Sequence, residues 1–243
     1  MNQLSLWLVA SLLLVAAVAT YRAHRAYRAL LARLDHERRQ AQRMSELHLA
    51  TIEALALAID AKEQTAQNHV GRVQIYATGL ARAIGMSDEE VQAVQTAALL
   101  HDIGKLAVPE HILAKPGPLT PEEFQKVRIH PQVGAAIIAN VPFPYPVAPL
   151  VLSHHERWDG RGYPSGLKGE EIPLGARILC LVDYFDALTS ERPYHRPMPL
   201  EAAVALLEQE AGHALDPKLV EAFLRILPEL RAEAERADLA HPR

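Results

Sequence analysis

The chain has 243 residues, of which 49% are apolar and 22% charged, and its formal net charge is −4. This composition excludes a disordered chain, and the small negative charge gives no electrostatic footprint for a nucleic-acid polymer. A single cysteine, Cys180, excludes an internal disulfide framework and any thiolate-rich zinc site. Aromatic residues make up only 5%, while Ala and Leu are abundant, a balance that favours helix throughout.

The first element is the uncharged stretch "LSLWLVASLLLVAAVAT", residues 4–20, which Tyr21 extends to about the ~17–25 residues a membrane-spanning helix requires. No Lys or Arg precedes it, and Arg22, Arg25, Arg28, Arg33, Arg38, Arg39 and Arg43 follow it. The positive-inside rule then predicts a single transmembrane anchor over 1–21 in the inner (cytoplasmic) membrane, with the bulk of the chain in the cytoplasm. A cleaved signal peptide is the competing reading, because "VAAVAT" offers small residues near a cleavage site, but the basic flank lies on the wrong side. Residues 22–50 read as a basic helical connector. Tyr27, Leu30, Leu34, Ala41 and Met44 fall at near-heptad spacing, which predicts either a homodimerising stalk or a solvated linker whose basic face meets anionic lipid.

From residue 51 to 228 the pattern predicts successive helices in one all-α domain. His69, Val73, Tyr76 and Leu80 share a helical face that Gly85 closes. Ser87 and Glu90 form a capping-box pattern for a helix running into His101, and Thr120-Pro121-Glu122-Glu123 opens another. A proline-rich loop at 140–149 leads to a helix ending near His155. The segment "RWDGRGYPSGLKGEEIPLG", 157–175, predicts a long exposed loop. Helices follow near 176–189, 199–211 and 216–227, and the charged tail 229–243 is expected to fray.

Polar groups interrupt these apolar faces at His69, His101-Asp102, His130, His154-His155 and Asp183. Any one of them reads most simply as a core residue satisfied by a neighbour. Together, five histidines and two aspartates without nearby sequence partners call for a divalent cation, since unpaired buried charge is costly. Seven ligands exceed what one ion accepts, so two ions sharing a carboxylate is the economical arrangement. Imidazoles and carboxylates without thiolate suit iron or manganese, with zinc or nickel as alternatives.

His101-Asp102, His154-His155 and Gly162-Tyr163-Pro164, together with "LLHDIGKL", "KPGPLTPEEF", "HHERWDGRGYPSGLKGEEIP" and "RILCLVDYFDALTSERPY", resemble the HD-GYP family of HD-domain phosphohydrolases over about 52–227. The resemblance implies an all-α, HD-domain-like helical bundle that hydrolyses cyclic di-GMP at a metal centre. It further implies that His69, His101, Asp102 and Asp183 hold one metal, while His130, His154 and His155 hold a second that Asp102 bridges. Asp102 and Lys105 would be the catalytic pair, with Lys105, Arg192, His195 and Tyr163 on the substrate. Some members carry a carboxylate four residues before the first histidine that supports a third metal. Thr65 stands there in this chain, so the resemblance does not extend to a third ion.

The chemistry implied is attack of a metal-bridging hydroxide on phosphorus, giving a linear dinucleotide and, on further cleavage, GMP. Two other classes stay open at this stage: an HD-type hydrolase of a different nucleotide, and a module that senses cyclic di-GMP or docks protein partners through the Gly-Tyr-Pro loop with little turnover. Turnover by the purified, metal-loaded protein separates them.

Overall fold

The computed structural model describes residues 3–63, 69–191 and 196–240, and among these residues it is helical with no strand. The chain divides into two compact units, Met1–Thr51 and Ile52–Arg243. The first unit lies within helix α1, Gln3–Glu63, whose last residues belong to the second. The membrane anchor expected at 1–21, and the inner-membrane placement drawn from it, are not borne out. Among the described residues no helix is long and apolar enough to cross a membrane. The described apolar side chains of this stretch, such as Leu8, Leu12 and Leu13, are exposed on a helix that continues without a break into the arginine-rich segment. Leu30 and Leu34 are likewise exposed, so the seam expected of a dimerising stalk is uncovered in the single chain.

The second unit is built on α2, His69–Ala83, and α3, Asp88–Leu100. The α3 N-terminus carries the expected capping box: the Ser87 hydroxyl accepts from Glu90 N, and Glu90 accepts from Ser87 N. A 3-10 turn, Ile103–Ala107, follows at once, then the short helices α4, Glu110–Leu113, and α5, Pro121–Val127, the latter opened by the Thr120 capping box. Next come α6, His130–Ile138, and α7, Ala148–Ser153. A long connection then reaches α8, Leu174–Thr189, followed by α9, Leu200–Glu210, and α10, Pro217–Ala240.

Four helices, α2, α3, α8 and α10, enclose the core. Tyr76, Phe185 and Phe223 meet edge to face with centroids 5.2–6.1 Å apart, and Val94, Ala97, Leu181 and Val182 fill around them. Burying each large apolar side chain contributes about 1.5–3 kcal/mol. Among the described residues the fraying expected after Pro228 is not seen. Helix α10 continues to Ala240, because Leu230 and Ala234 remain buried and Leu230 packs directly over Gly79 of α2.

Two helix ends position the site. Helix α3 stops at Leu100, so His101 caps it and Asp102 begins a separate turn. Helix α5 stops at Val127, and His130 opens α6. Gly104 lets the turn rest on α6: a Cβ there would strike the His130 carbonyl and the Gly134 amide. That close approach brings Asp102 beside His130.

Candidate metal centre

Three of the ligand candidates are held by one local device. The last turn of a helix leaves carbonyls without intrahelical partners. The His101 ring, at Nδ1, donates to the Ala98 carbonyl at 2.8 Å at the end of α3. His130 Nδ1 does the same to Val127 at the end of α5, 2.8 Å, and His154 Nδ1 to Val151 at the end of α7, 2.6 Å. A carbonyl only accepts, so Nδ1 carries the proton and Nε2 faces the interior. His69, the first residue of α2, is fixed by a carboxylate instead: Nδ1 donates to Asp186 Oδ2 at 2.7 Å.

These orientations gather the ligand atoms into two groups, His69–His101–Asp183 and His130–His154–His155, each with its donor atoms within 4.8 Å of one another. Asp102 stands between the groups. Its Oδ2 is 3.1 Å from His101 Nε2, and its Oδ1 is 3.4 Å from His130 Nε2, so each oxygen faces a different group. Lys105 Nζ contacts Asp102 Oδ2 at 2.7 Å from one 3-10 turn further on.

The donor set fits cations. His101 Nε2 is buried against Asp102 Oδ2 at 3.1 Å, so a proton or a cation has to lie between them. His130 Nε2 and His154 Nε2 face each other at 3.3 Å, yet each ring has already committed its proton at Nδ1. Burial keeps both rings neutral, holding His130 below the usual imidazole range and His154 well below it, so two lone pairs confront each other unless a cation lies among them. Burial also drives His155 down to about 3. In the other group burial opposes protonation of His101, but the Asp102 and Asp183 carboxylates outweigh it and raise the ring to about 9. Burial likewise opposes ionisation of Asp102, yet His101, Lys105 and His130 hold its carboxyl well below the usual range.

The connection at 157–175 is a loop, as expected, but it is not simply exposed. Glu156 and Ile172 are buried at its two ends, Trp158 and Tyr163 are half-buried, and it contains a 3-10 turn, Gly169–Glu171. Trp158 N and Asp159 N donate to the Ala214 and His213 carbonyls at 3.0 and 2.8 Å. The Tyr163 ring, expected on the substrate, is already engaged: His155 stacks on it at 4.9 Å and the Arg128 guanidinium lies 4.6 Å over it. Arg192, His195 and Thr65 lie outside the described residues.

The sequence reading missed the residues that hold these ligands. Asp186, on α8 one turn beyond Asp183, accepts from His69, from Arg72 Nε at 2.6 Å and from the Ser190 hydroxyl at 2.9 Å. Burial pushes its carboxyl up, but the His69 and Arg72 hydrogen bonds prevail and bring it to about 2. Glu156, directly after His154-His155, was also missed. A second acid at Asp-x-x-Asp spacing on an apolar helix, and an acid closing a His-His pair, were the available clues.

The HD domain family model matches residues 28–219. The chain is 42% identical over 181 residues to a cyclic di-GMP phosphodiesterase of Thermotoga maritima, covering 74% of this chain and 49% of that protein. It is 41% identical over 184 residues to the cyclic di-GMP phosphodiesterase response regulator RpfG of Xanthomonas campestris, covering 75% and 49%. Among solved structures, the cyclic GMP-AMP specific phosphodiesterase V-cGAP3 of V. cholerae is similar in fold, with a TM-score of 0.58 at 22% identity over 74% of this chain and 49% of that one. The chain thus spans about half the length of the curated relatives it matches.

Proposed function

The chain belongs to the HD domain family, and from that membership and the site geometry we propose that it is a metal-dependent phosphodiesterase that opens cyclic di-GMP to a linear dinucleotide. The observation that carries this reading is the placement of Asp102, with one oxygen toward each of two three-ligand groups. His69, His101 and Asp183 would hold one divalent ion and His130, His154 and His155 the other, with Asp102 between. Iron or manganese best suits imidazole and carboxylate donors. Two ions in such a site lower the pKa of water and neutralise charge on phosphoryl oxygens.

The protein's own groups do the rest. Hydrogen bonds at Nδ1 orient the His69, His101, His130 and His154 rings before phosphate arrives, which limits the reorganisation the reaction requires of them. Lys105, beside Asp102, brings an ammonium within reach of a phosphoryl oxygen at the ligand cluster, and Arg192 is the second phosphate-contacting cation by its place in "SERPYH", with His195 close behind it. In the reaction a water oxygen bonds to phosphorus, the P–O3′ bond breaks, and O3′ leaves with a proton.

A second cyclic dinucleotide substrate has specific support, since a Vibrio cholerae relative 39% identical over 181 residues is named a 3′3′-cGAMP-specific phosphodiesterase. The test is turnover by the purified full chain loaded with manganese or iron(II), with cyclic di-GMP and 3′3′-cGAMP offered separately. Linear product from cyclic di-GMP, abolished in Asp102→Ala, supports the first reading. Product from cGAMP alone moves the assignment to the second, and tight binding without product overturns both.

A further inference from the structure

The Gly-Tyr-Pro loop has no part in the chemistry above, and one ligand lacks the support that the others have. His69, His101, His130 and His154 each have Nδ1 tied by a hydrogen bond of 2.6–2.8 Å. The His155 ring nitrogens make no such bond among the described residues. What meets this ring instead is Tyr163, stacked at 4.9 Å with an interplanar angle of 29°.

The loop is built to hold that ring in place. Tyr163 N donates back to the His155 carbonyl at 3.1 Å. Gly162 allows the return, because a Cβ there would strike Arg157 N, Glu156 Cα and the His155 carbonyl. The far side of the loop is fastened to the residue after His155. Glu156 is 1% exposed; its Oε1 accepts from Ser165 N at 2.7 Å and Gly166 N at 3.1 Å, and its Oε2 accepts from Leu167 N at 3.1 Å. Three amides converging on one buried carboxylate make a strong, directional clamp. The clamp and the stack therefore start from adjacent residues, His155 and Glu156, and close on each other through the loop.

We propose that the Gly162-Tyr163-Pro164 loop, fastened by the buried Glu156 carboxylate, is the device that orients His155, making Tyr163 and Glu156 positioning residues for the His130–His154–His155 pocket. The inference rests on the proposed metal centre. It assigns the motif to ligand placement rather than to stacking on a base. Partners that orient a ligand typically change metal affinity by about 10–100-fold when removed.

The experiment is a titration of the metal-free full chain with Co(II) under anaerobic conditions, read by the visible d–d absorption and by bound stoichiometry. The wild type should take up two equivalents, and His155→Ala marks which binding step belongs to the three-histidine pocket. Tyr163→Ala should weaken that step about 10–100-fold and alter its absorption while leaving the other step in place. Tyr163→Phe, which keeps the flat ring, should restore it to within about threefold. Glu156→Gln, which removes the charge and sets an NH2 group against at least one of the three amides, should weaken the same step with helical circular dichroism retained. Unchanged affinity and spectrum in Tyr163→Ala, or a change confined to KM for the nucleotide, overturns the inference and leaves the metal centre standing. A wild type that binds no Co(II) overturns the metal centre itself, and the inference with it.

Discussion

Asp186 Oδ2 lies 2.7 Å from His69 Nδ1, and the same carboxylate receives Arg72 at 2.6 Å and Ser190 at 2.9 Å. The helical repeat of α8 thus gives two acids, Asp183 and Asp186, different work on one histidine: Asp183 Oδ1 sits 3.8 Å from His69 Nε2, while Asp186 fixes the opposite side of the ring. Asp186→Asn keeps an acceptor for His69 but loses the charge. It should weaken metal at the His69 pocket about tenfold or more and leave the His130 pocket unaffected, as read by calorimetric titration. Asp186→Ala should also lower stability by about 1–3 kcal/mol through the lost buried hydrogen bonds, seen as a lower Tm of the metal-free protein. Equal metal affinity in both variants would show that His69 is placed by packing alone.

Lys105→Ala should bind both ions as the wild type does and yet lose about 10²–10³ in kcat on cyclic di-GMP, the range seen when one donor to developing charge is removed. Nζ contacts Asp102 at 2.7 Å but belongs to neither ligand group. Steady-state kinetics beside a metal assay separates the two effects. A variant that loses metal in proportion to rate would make Lys105 a support for Asp102 instead.

Gly104→Ala adds one methyl group where the turn meets the His130 carbonyl. Backbone on both sides leaves no flexible side chain to yield, so the cost should be at the upper end of overpacking, about 2–3 kcal/mol. A Tm shift measures it. The displacement should also separate Asp102 from His130, so that metal affinity falls with stability.

The candidate ligands were legible in the sequence because they are polar residues at apolar positions, and periodicity exposes such residues whatever the fold. Helix starts were legible at Ser87 and Thr120 because a capping box is local chemistry. The end of α3 at His101 was legible too, but the break between α5 and α6 before His130 was not. The His130 ring bonds the Val127 carbonyl three residues back, and no propensity encodes that exchange. Asp186 and Glu156 were missed for a related reason: their partners, His69 and Arg72 for one and the loop amides for the other, are brought together only by tertiary packing or by the loop's return.

Pro228 misled the reading of the C-terminus, because a proline inside a helix costs about 3 kcal/mol and normally ends it. Here Leu230 and Ala234 return to the core beyond it. Leu230→Ala should therefore destabilise the domain by about 2–4 kcal/mol, measured by urea unfolding. A value within about 0.5 kcal/mol of wild type, as for a surface site, would mean that the last turns of α10 do not contribute to the fold.

Metal uptake at the two groups should respond differently to pH. In the metal-free protein the Asp102 and Asp183 carboxylates prevail over burial and lift His101 to about 9, so this ring holds a proton at neutral pH that a cation must displace. Affinity at the His69–His101–Asp183 group should rise about tenfold per pH unit between pH 6 and 8 and flatten above about 9. His155, driven by burial to about 3, has no proton to lose, and His130 and His154 are lowered in the same direction, so affinity at their group should be flat over that range. The His101 shift also has a consequence for the metal-free fold. Its stabilising contribution is complete below the ring's unperturbed value of 6.5 and is lost as pH climbs through about 9. Titration calorimetry at pH 7 in two buffers of different ionisation enthalpy should find one binding step that releases about one proton and one that releases none. Two proton-silent steps would place His101 in the neutral state before metal arrives and remove the carboxylates' hold on it.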